Sequence, residues 1–181
     1  MNYMSKCSKS ASCTSNTSCS KKHEHCCPTV IKCNVNTTTT SLTSTSTTAL
    51  DLVTVNVNTC NIDNPCSKID FAANIAFPTD AAGTLTFQLF KAPFCNLNNA
   101  TAVGPAWTVT GVAGTTTATS FTTCDCNANN NFCNCRCNCN YDNDCSIYFI
   151  RVTPAITAGT VTLTNPTIGV ISTCNTNPCC C

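Results

Sequence analysis

Polar and apolar side chains alternate along several short segments of this chain. In segment 83–91, Leu85, Phe87 and Leu89 lie on one side and alternate with polar residues on the other. Segment 68–77 repeats the pattern, with an apolar side made of Ile69, Phe71, Ala73, Ile75 and Phe77. A period of two residues is typical of a β-strand with one buried and one solvated face, so both segments are predicted to be strands of an antiparallel sheet.

Similar runs rich in Val, Ile, Thr and aromatic residues continue along the chain, separated by Pro, Gly and Asn. Further strands are predicted at 29–35, 50–58, 106–112, 117–123, 146–153, 159–164 and 167–173, and segment 37–48 is either a loop or an edge strand. Eight or nine short strands without a helical period predict an all-β fold, an antiparallel β-sandwich of the jelly-roll or immunoglobulin kind. Trp107 is expected to be an anchor of its core.

The pattern divides the chain into a sandwich and two flanking segments. Residues 1–27 lack a hydrophobic period, which predicts an extended N-terminal arm. The sandwich is predicted over 28–175, with a cysteine-rich insertion at 124–145, and a cysteine-rich tail is predicted at 176–181.

The charge of the chain limits the classes of partner. Nine basic and eight acidic residues give a formal net charge of +1, and a nearly uncharged surface favours association. The basic residues are too few for nucleic-acid binding. Because no apolar run is long enough to span a bilayer, no membrane partner is expected either.

The chain contains 20 cysteines, a density typical of oxidised proteins outside the cytoplasm. Residues 1–22 nevertheless contain no apolar run that could act as a secretion signal. Both observations are explained if the protein is made in the mother-cell cytoplasm of a spore-forming cell, released when that cell lyses, and oxidised afterwards. We therefore expect an extracellular location on the spore surface.

A chain of this length can bury a core without disulfides, so the surplus of cysteines indicates bonds between chains. The predicted inter-subunit cross-links are the cysteines of the flanking segments: Cys7, Cys13, Cys19, Cys26, Cys27, Cys179, Cys180 and Cys181. The predicted acceptors or internal disulfide partners are those of the sandwich: Cys33, Cys60, Cys66, Cys95, Cys124, Cys126, Cys133, Cys135, Cys137, Cys139, Cys145 and Cys174.

Local spacing narrows the pairing of some cysteines. Cys60 and Cys66 flank a turn-rich stretch and are expected to form a local pair. A ring between adjacent Cys26 and Cys27 is strained, so each is expected either to reach a separate partner or to staple the arm to its own domain. Extended backbone places successive cysteines of the run 133–139 about 6.6 Å apart, at or beyond the reach of a disulfide, so they must bond elsewhere.

Thiolate binding of Zn²⁺ or Cu(I) is the alternative for this run. Structural zinc ligands are usually spaced more widely, in paired knuckles, so we assign no metal and no cofactor.

The sequence does not predict an enzyme. Both histidines, His23 and His25, lie in the arm, where no rigid scaffold holds a catalytic base. The acidic residues of the sandwich are scattered, mostly beside turns, form no convincing carboxylate pair and are expected to be surface or Asx-turn residues: Asp51, Asp63, Asp70, Asp80, Asp125, Asp142 and Asp144.

Several motifs resemble a clostridial family of cysteine-rich proteins of unknown function. They are Pro-Cys-Ser-Lys-Ile-Asp-Phe at 65–71, Gly-Thr-Leu-Thr-Phe-Gln-Leu-Phe-Lys at 83–91, Val-Gly-Pro-Ala-Trp-Thr at 103–108 and Cys-Asp-Cys at 124–126. The layout of a cysteine-bearing arm before a Thr-rich sandwich also resembles the subunits of bacterial endospore appendages (Ena-type fibres). That resemblance implies stacked jelly-roll subunits whose sheets extend across subunit boundaries, with Cys26 and Cys27 as connector cysteines.

We therefore expect a self-assembling structural subunit of a spore-surface fibre or layer, held by strand augmentation and inter-subunit disulfides. Its partners are other copies of itself and possible further spore-surface proteins. Two alternatives stay open: a thiolate metal-binding protein that uses the run 124–145, and an adhesin-type ligand-binding sandwich.

Overall fold

A computed structural model describes residues 28–59, 62, 65–93, 95–126 and 145–174 of the chain. Nine β-strands and one 3₁₀ turn, Leu97–Asn99, make up this part of the protein. The strands are β1 (Val30–Val35), β2 (Thr40–Thr43), β3 (Leu50–Asn58), β4 (Pro65–Phe77), β5 (Ala82–Pro93), β6 (Thr101–Thr110), β7 (Thr115–Cys126), β8 (Cys145–Ala158) and β9 (Thr160–Cys174). In the part of the chain that the structure describes, no helix is long and apolar enough to cross a membrane.

The strands form two antiparallel sheets. The first sheet has the order β1-β9-β4-β7, with β2 paired to β9 alongside β1, and the second has the order β3-β8-β5-β6. Most consecutive strands cross from one sheet to the other, and this order is that of a jelly roll. The predicted antiparallel β-sandwich is confirmed.

Alternating positions of both sheets meet in a single core. On β4, Ile69, Phe71, Ile75 and Phe77 are 0–2 % exposed, and Leu85, Phe87 and Leu89 of β5 are fully buried. The rings of Phe71 and Phe87 join the two sheets, with centroids 5.6 Å apart. The two segments with the clearest period of two therefore supply the facing halves of the core, as their pattern predicts.

The segments predicted as two strands at 159–164 and 167–173 form one strand, β9. Thr164 pairs with Asn74 and Thr167 with Ala72, so β9 carries one extra residue opposite β4. Asn165 takes a positive φ of 52° at this bulge. The bulge also accommodates Pro166, because the residues of a bulge need not donate to the neighbouring strand and proline has no backbone N–H. The ambiguous segment 37–48 contains a short edge strand, β2.

Trp107 lies at the margin of the core instead of its centre. It is partly buried on β6 and stacks on Phe121 of β7, with ring centroids 3.8 Å apart. β6 and β7 are the outermost strands of their sheets on this side of the sandwich. The indole therefore closes the gap between two sheet edges.

One end of the sandwich holds the residues that flank the undescribed stretches of chain. Cys145 lies opposite Asn58, Cys174 opposite Pro65, and Cys126 opposite Cys66. The chain also enters β1 here, because Val30 pairs with Ser172. We call this the cysteine end; the described turns at the opposite end, such as 78–81 and 111–114, contain no cysteine.

Candidate functional site

The sheet register brings several cysteines of the cysteine end together in disulfides. Cys66 on β4 lies directly opposite Cys126 on β7, and they are bonded with a Cα–Cα distance of 4.1 Å. Cys95, in the connection between β5 and β6, is bonded to Cys145 at the start of β8, with a Cα–Cα distance of 5.5 Å. Cys174 is also disulfide-bonded. These cysteines are internal disulfide partners.

The expected local pair of Cys60 and Cys66 is wrong. β4 already begins at Pro65, so Cys66 is a strand residue whose side chain meets Cys126 across the ladder. The following predicted cross-link or acceptor cysteines lie outside the described residues: Cys7, Cys13, Cys19, Cys26, Cys27, Cys60, Cys133, Cys135, Cys137, Cys139, Cys179, Cys180 and Cys181. Their roles stay predictions, as does the metal alternative for the run 133–139.

Two described cysteines, Cys33 and Cys124, have free and exposed thiols. Cys33 lies on β1 opposite Gly169, and Cys124 lies on β7 opposite Lys68. Because β4 points Ile69 into the core, its neighbour Lys68 and the residues in register with it point outward. Both thiols therefore emerge on the outward side of the first sheet, which we call the outer face, at its two opposite edges.

A shallow groove lies on the outer face, in the middle of the first sheet. It is lined on β9, β4 and β7 by Asp70, Ala72, Ser120, Thr122, Thr167 and Gly169. Gly169 is the register partner of Cys33, and Thr122 lies two residues before Cys124 on the same side of β7. Neither Cys33 nor Cys124 is among the residues that line the groove.

Apolar and charged side chains border the groove on its cysteine-end side. Ile31 on β1 is 69 % exposed and lies directly opposite Ile171, which is 39 % exposed. Lys68 forms an exposed ion pair with Asp70 at 3.1 Å, and Thr122 donates a hydrogen bond of 2.5 Å to the same carboxylate. The Thr122 hydrogen bond, helped by Lys68, lowers the pKa of Asp70.

Beneath the cysteine end, a polar cluster joins the two sheets from inside. Asp125 on β7 accepts hydrogen bonds at Oδ2 from Lys91 Nζ at 2.6 Å and from the Tyr148 hydroxyl at 2.7 Å. Ser67 and Ser172, both buried, hydrogen-bond each other at 2.7 Å. Burial raises the pKa of Tyr148, and the charge of Asp125 adds to this.

Asp125 was expected to be a surface or Asx-turn residue, and this is wrong, because it lies within β7 and its side chain is only 17 % exposed. Phe121, Thr123 and Asp125 follow one another at two-residue intervals on the inward side of β7, so the period of two was the signal that could have placed Asp125. The acids Asp51 and Asp70 lie at the surface, as expected. In the described part of the chain, no group of three or more His, Cys, Asp or Glu is placed to hold a metal ion.

A family model described as "Domain of unknown function (DUF4489)" matches residues 27–173. The chain belongs to the DUF4489 family. The match begins just before β1 and ends one residue before Cys174, so the family domain coincides with the sandwich. No curated protein sequence matches the chain.

Among solved structures, this DUF4489 sandwich is similar to two from infectious bursal disease virus. A structure of the Gx strain has a TM-score of 0.50 and 9 % identity, and covers 84 % of this chain and 34 % of its own. The VP2 subviral particle has a TM-score of 0.50 and 8 % identity, and covers 80 % of this chain and 36 % of its own. This chain thus spans about a third of those chains, and identity this low shows a shared fold alone.

Proposed function

We propose that this DUF4489 protein is a self-assembling structural subunit without catalytic activity. Copies are joined by disulfides and by pairing of strands at sheet edges, and they build a fibre or layer on the surface of a spore. The partner of each copy is another copy of the same chain.

The observation that supports this proposal most directly is the placement of Cys33 and Cys124. Three strand spacings separate them laterally, about 14–15 Å, whereas a disulfide needs Cα atoms within about 7 Å. The two thiols of one sandwich therefore do not bond each other, and each is exposed for a partner from outside the sheet. Two reactive groups on one face provide the two attachment points that a polymer requires.

The outermost strands supply a second means of association. β7 pairs with β4 over twelve consecutive register positions without a shift, so its backbone is regular along its whole length. A long regular edge strand can add a strand of a neighbouring molecule. When such a contact does not close on itself, it produces an open filament.

The location is proposed from the cysteines and from the resemblance to endospore appendage subunits. Internal disulfides such as Cys66–Cys126 and Cys95–Cys145 persist in oxidising surroundings outside the cytoplasm. The similar VP2 sandwich is described as part of a subviral particle, which is consistent with repeated assembly of this fold.

The test is gel electrophoresis of purified, air-oxidised protein in denaturant, with and without thiol. We expect species much larger than 19.1 kDa without thiol and a single band near 19.1 kDa with it. Cys33→Ser combined with Cys124→Ser should markedly reduce the large species, whereas the reduced wild type serves as the monomer control. Monomer in both lanes for the wild type would refute covalent assembly, and electron microscopy of the oxidised material would distinguish fibres from layers.

A further inference from the structure

The ion pair of Lys91 and Asp125 differs from the other two ion pairs of the described residues. Its side chains are only 25 % and 17 % exposed, and Nζ of the lysine lies 2.6 Å from Oδ2 of the aspartate. The side chains of the other two pairs are at least 37 % exposed. An amine and a carboxyl group held together and largely out of water can also react with each other, because the two groups can condense to an amide.

The two sheets hold both groups in place. Lys91 lies on β5, which pairs with β6 on one side and with β8 on the other. Asp125 on β7 lies opposite Ser67 and is followed by Cys126, which is bonded to β4. Well-oriented intramolecular pairs reach effective molarities of about 10⁵–10⁸ M, which favours an amide that two separate molecules in water do not form.

The distance between the two groups also fits the reaction. Because Nζ of Lys91 is 2.6 Å from Oδ2, the carbon Cγ of Asp125 lies only one bond further away. Reacting atoms in a productive arrangement are about 3–3.5 Å apart. A small movement of the lysine side chain therefore brings the amine onto the carboxyl carbon.

The Tyr148 hydroxyl supplies a further group that the condensation uses. It donates a hydrogen bond of 2.7 Å to Oδ2 of Asp125, the oxygen that also faces Lys91. Negative charge develops on this oxygen when an amine attacks the carbon, and a donor already aimed at the oxygen stabilises that charge. Burial raises the pKa of Tyr148, so the hydroxyl stays protonated and remains a donor near neutral pH.

We propose that Lys91 and Asp125 form an intramolecular isopeptide bond that links the two sheets covalently. Nζ passes one proton to Oδ1 and attacks Cγ, which forms the C–N bond. Oδ1 then takes a second proton from the nitrogen, the Cγ–Oδ1 bond breaks, and one water molecule leaves. Ammonium and carboxylate thus become an amide and water without an oxidant or a cofactor, and Oδ2 stays as the amide oxygen that accepts the hydrogen bond of Tyr148.

This cross-link does not depend on the disulfides or on the proposed assembly. Thiols do not reduce an amide, so the bond joins β5 to β7 while Cys66–Cys126 and Cys95–Cys145 are still in the reduced state. The cysteine end is then held together before it is oxidised.

The first test is the intact mass of the purified protein, measured in denaturant after reduction and alkylation so that disulfides do not contribute. Apart from any removal of Met1, we expect the mass to be lower than that of the sequence by one water molecule. Lys91→Arg keeps the positive charge but offers no nucleophilic amine, since arginine stays protonated, and should show the full mass. A wild type with the full mass of its sequence would overturn the proposal.

The matched control is the exposed pair Lys68–Asp70, in which the two groups are 3.1 Å apart. Lys68→Arg should leave the loss of one water molecule unchanged, because this pair lies in contact with solvent. If Lys68→Arg restores the full mass and Lys91→Arg does not, the bond is not at Lys91 and the proposal fails.

The second test locates the bond by digestion with chymotrypsin. Cleavage after phenylalanine releases Lys91 in segment 91–94 and Asp125 in segment 122–132. We expect fragmentation in the mass spectrometer to identify one branched peptide in which these two segments are joined with the loss of one water molecule. Recovery of the two segments as separate, unmodified peptides would place the lost water elsewhere and overturn the proposal.

Discussion

Cys124 and Cys126 lie two residues apart on the same side of β7, yet only Cys126 is bonded within the sandwich, to Cys66. Between them, Asp125 points inward and joins the two sheets through Lys91 and Tyr148. Three consecutive residues at the cysteine end thus supply an exposed thiol, an inter-sheet ion pair and an internal disulfide. β7, which presents Cys124, is therefore held on its outward face by the Cys66–Cys126 disulfide and on its inward face by the hydrogen bonds of Asp125.

Removal of the bond between β4 and β7 should destabilise the sandwich. We expect Cys126→Ser to lower the free energy of unfolding by about 2–4 kcal/mol, because the bond closes a long loop, with its cysteines 60 residues apart. Denaturant unfolding of thiol-blocked monomer measures this. The matched control, Cys124→Ser, removes an exposed free thiol and should change stability by less than about 0.5 kcal/mol. Equal effects of the two substitutions would contradict the assigned bond.

The inter-sheet cluster should show energetic coupling. Asp125→Ala leaves the hydroxyl of Tyr148, which is 2 % exposed, without this acceptor, at a cost of about 1–3 kcal/mol. In Asp125→Ala combined with Tyr148→Phe, that cost should be partly recovered, since no buried hydroxyl is left without this partner. A double-mutant cycle from denaturant unfolding measures the coupling, and strictly additive effects would show that the hydrogen bond contributes nothing.

Alkaline pH should destabilise the fold through Tyr148. Burial raises the pKa of its phenol in the folded protein above the ordinary value of about 10, so the folded state holds the proton more tightly than the unfolded state. This stabilisation is complete below about pH 10 and is lost as the pH rises above it. Unfolding of thiol-blocked protein between neutral pH and pH 11 should show the decline, and Tyr148→Phe should make it shallower. An identical slope in that variant would assign the decline to other groups.

Two glycines, Gly169 on β9 and Gly111 in the turn between β6 and β7, should respond differently to replacement by alanine. A Cβ at Gly111 would overlap the ring of Phe77 in the core, whereas a Cβ at Gly169 meets nothing within 4 Å. We expect Gly111→Ala to destabilise by about 1–3 kcal/mol through overpacking, and Gly169→Ala to be neutral within about 0.5 kcal/mol. Thermal unfolding of both variants checks this. A neutral Gly111→Ala would show that Phe77 can move without cost.

The alternation in segments 68–77 and 83–91 was sufficient to predict β4, β5 and the core that they share, because side-chain direction in a strand depends only on position along it. Segments 159–164 and 167–173 were predicted as separate strands, because Asn-Pro ordinarily ends a strand. The neighbouring strand β4 lets the chain continue through a bulge there. For Trp107, the pattern showed the side of the strand but not how deeply that side is covered. Asp125 lies beyond the predicted strand 117–123, whereas β7 continues to Cys126.

The sequence by itself determined that this chain is an all-β sandwich, and which side chains of β4 and β5 face the core. Only the tertiary structure decided that Cys66 meets Cys126, that Cys95 meets Cys145, and that Cys33 and Cys124 are left free at opposite edges of one face. The physical reason is that the period of a strand is a local property. Which strands become neighbours, and in which register, depends on packing between residues that are far apart in the chain.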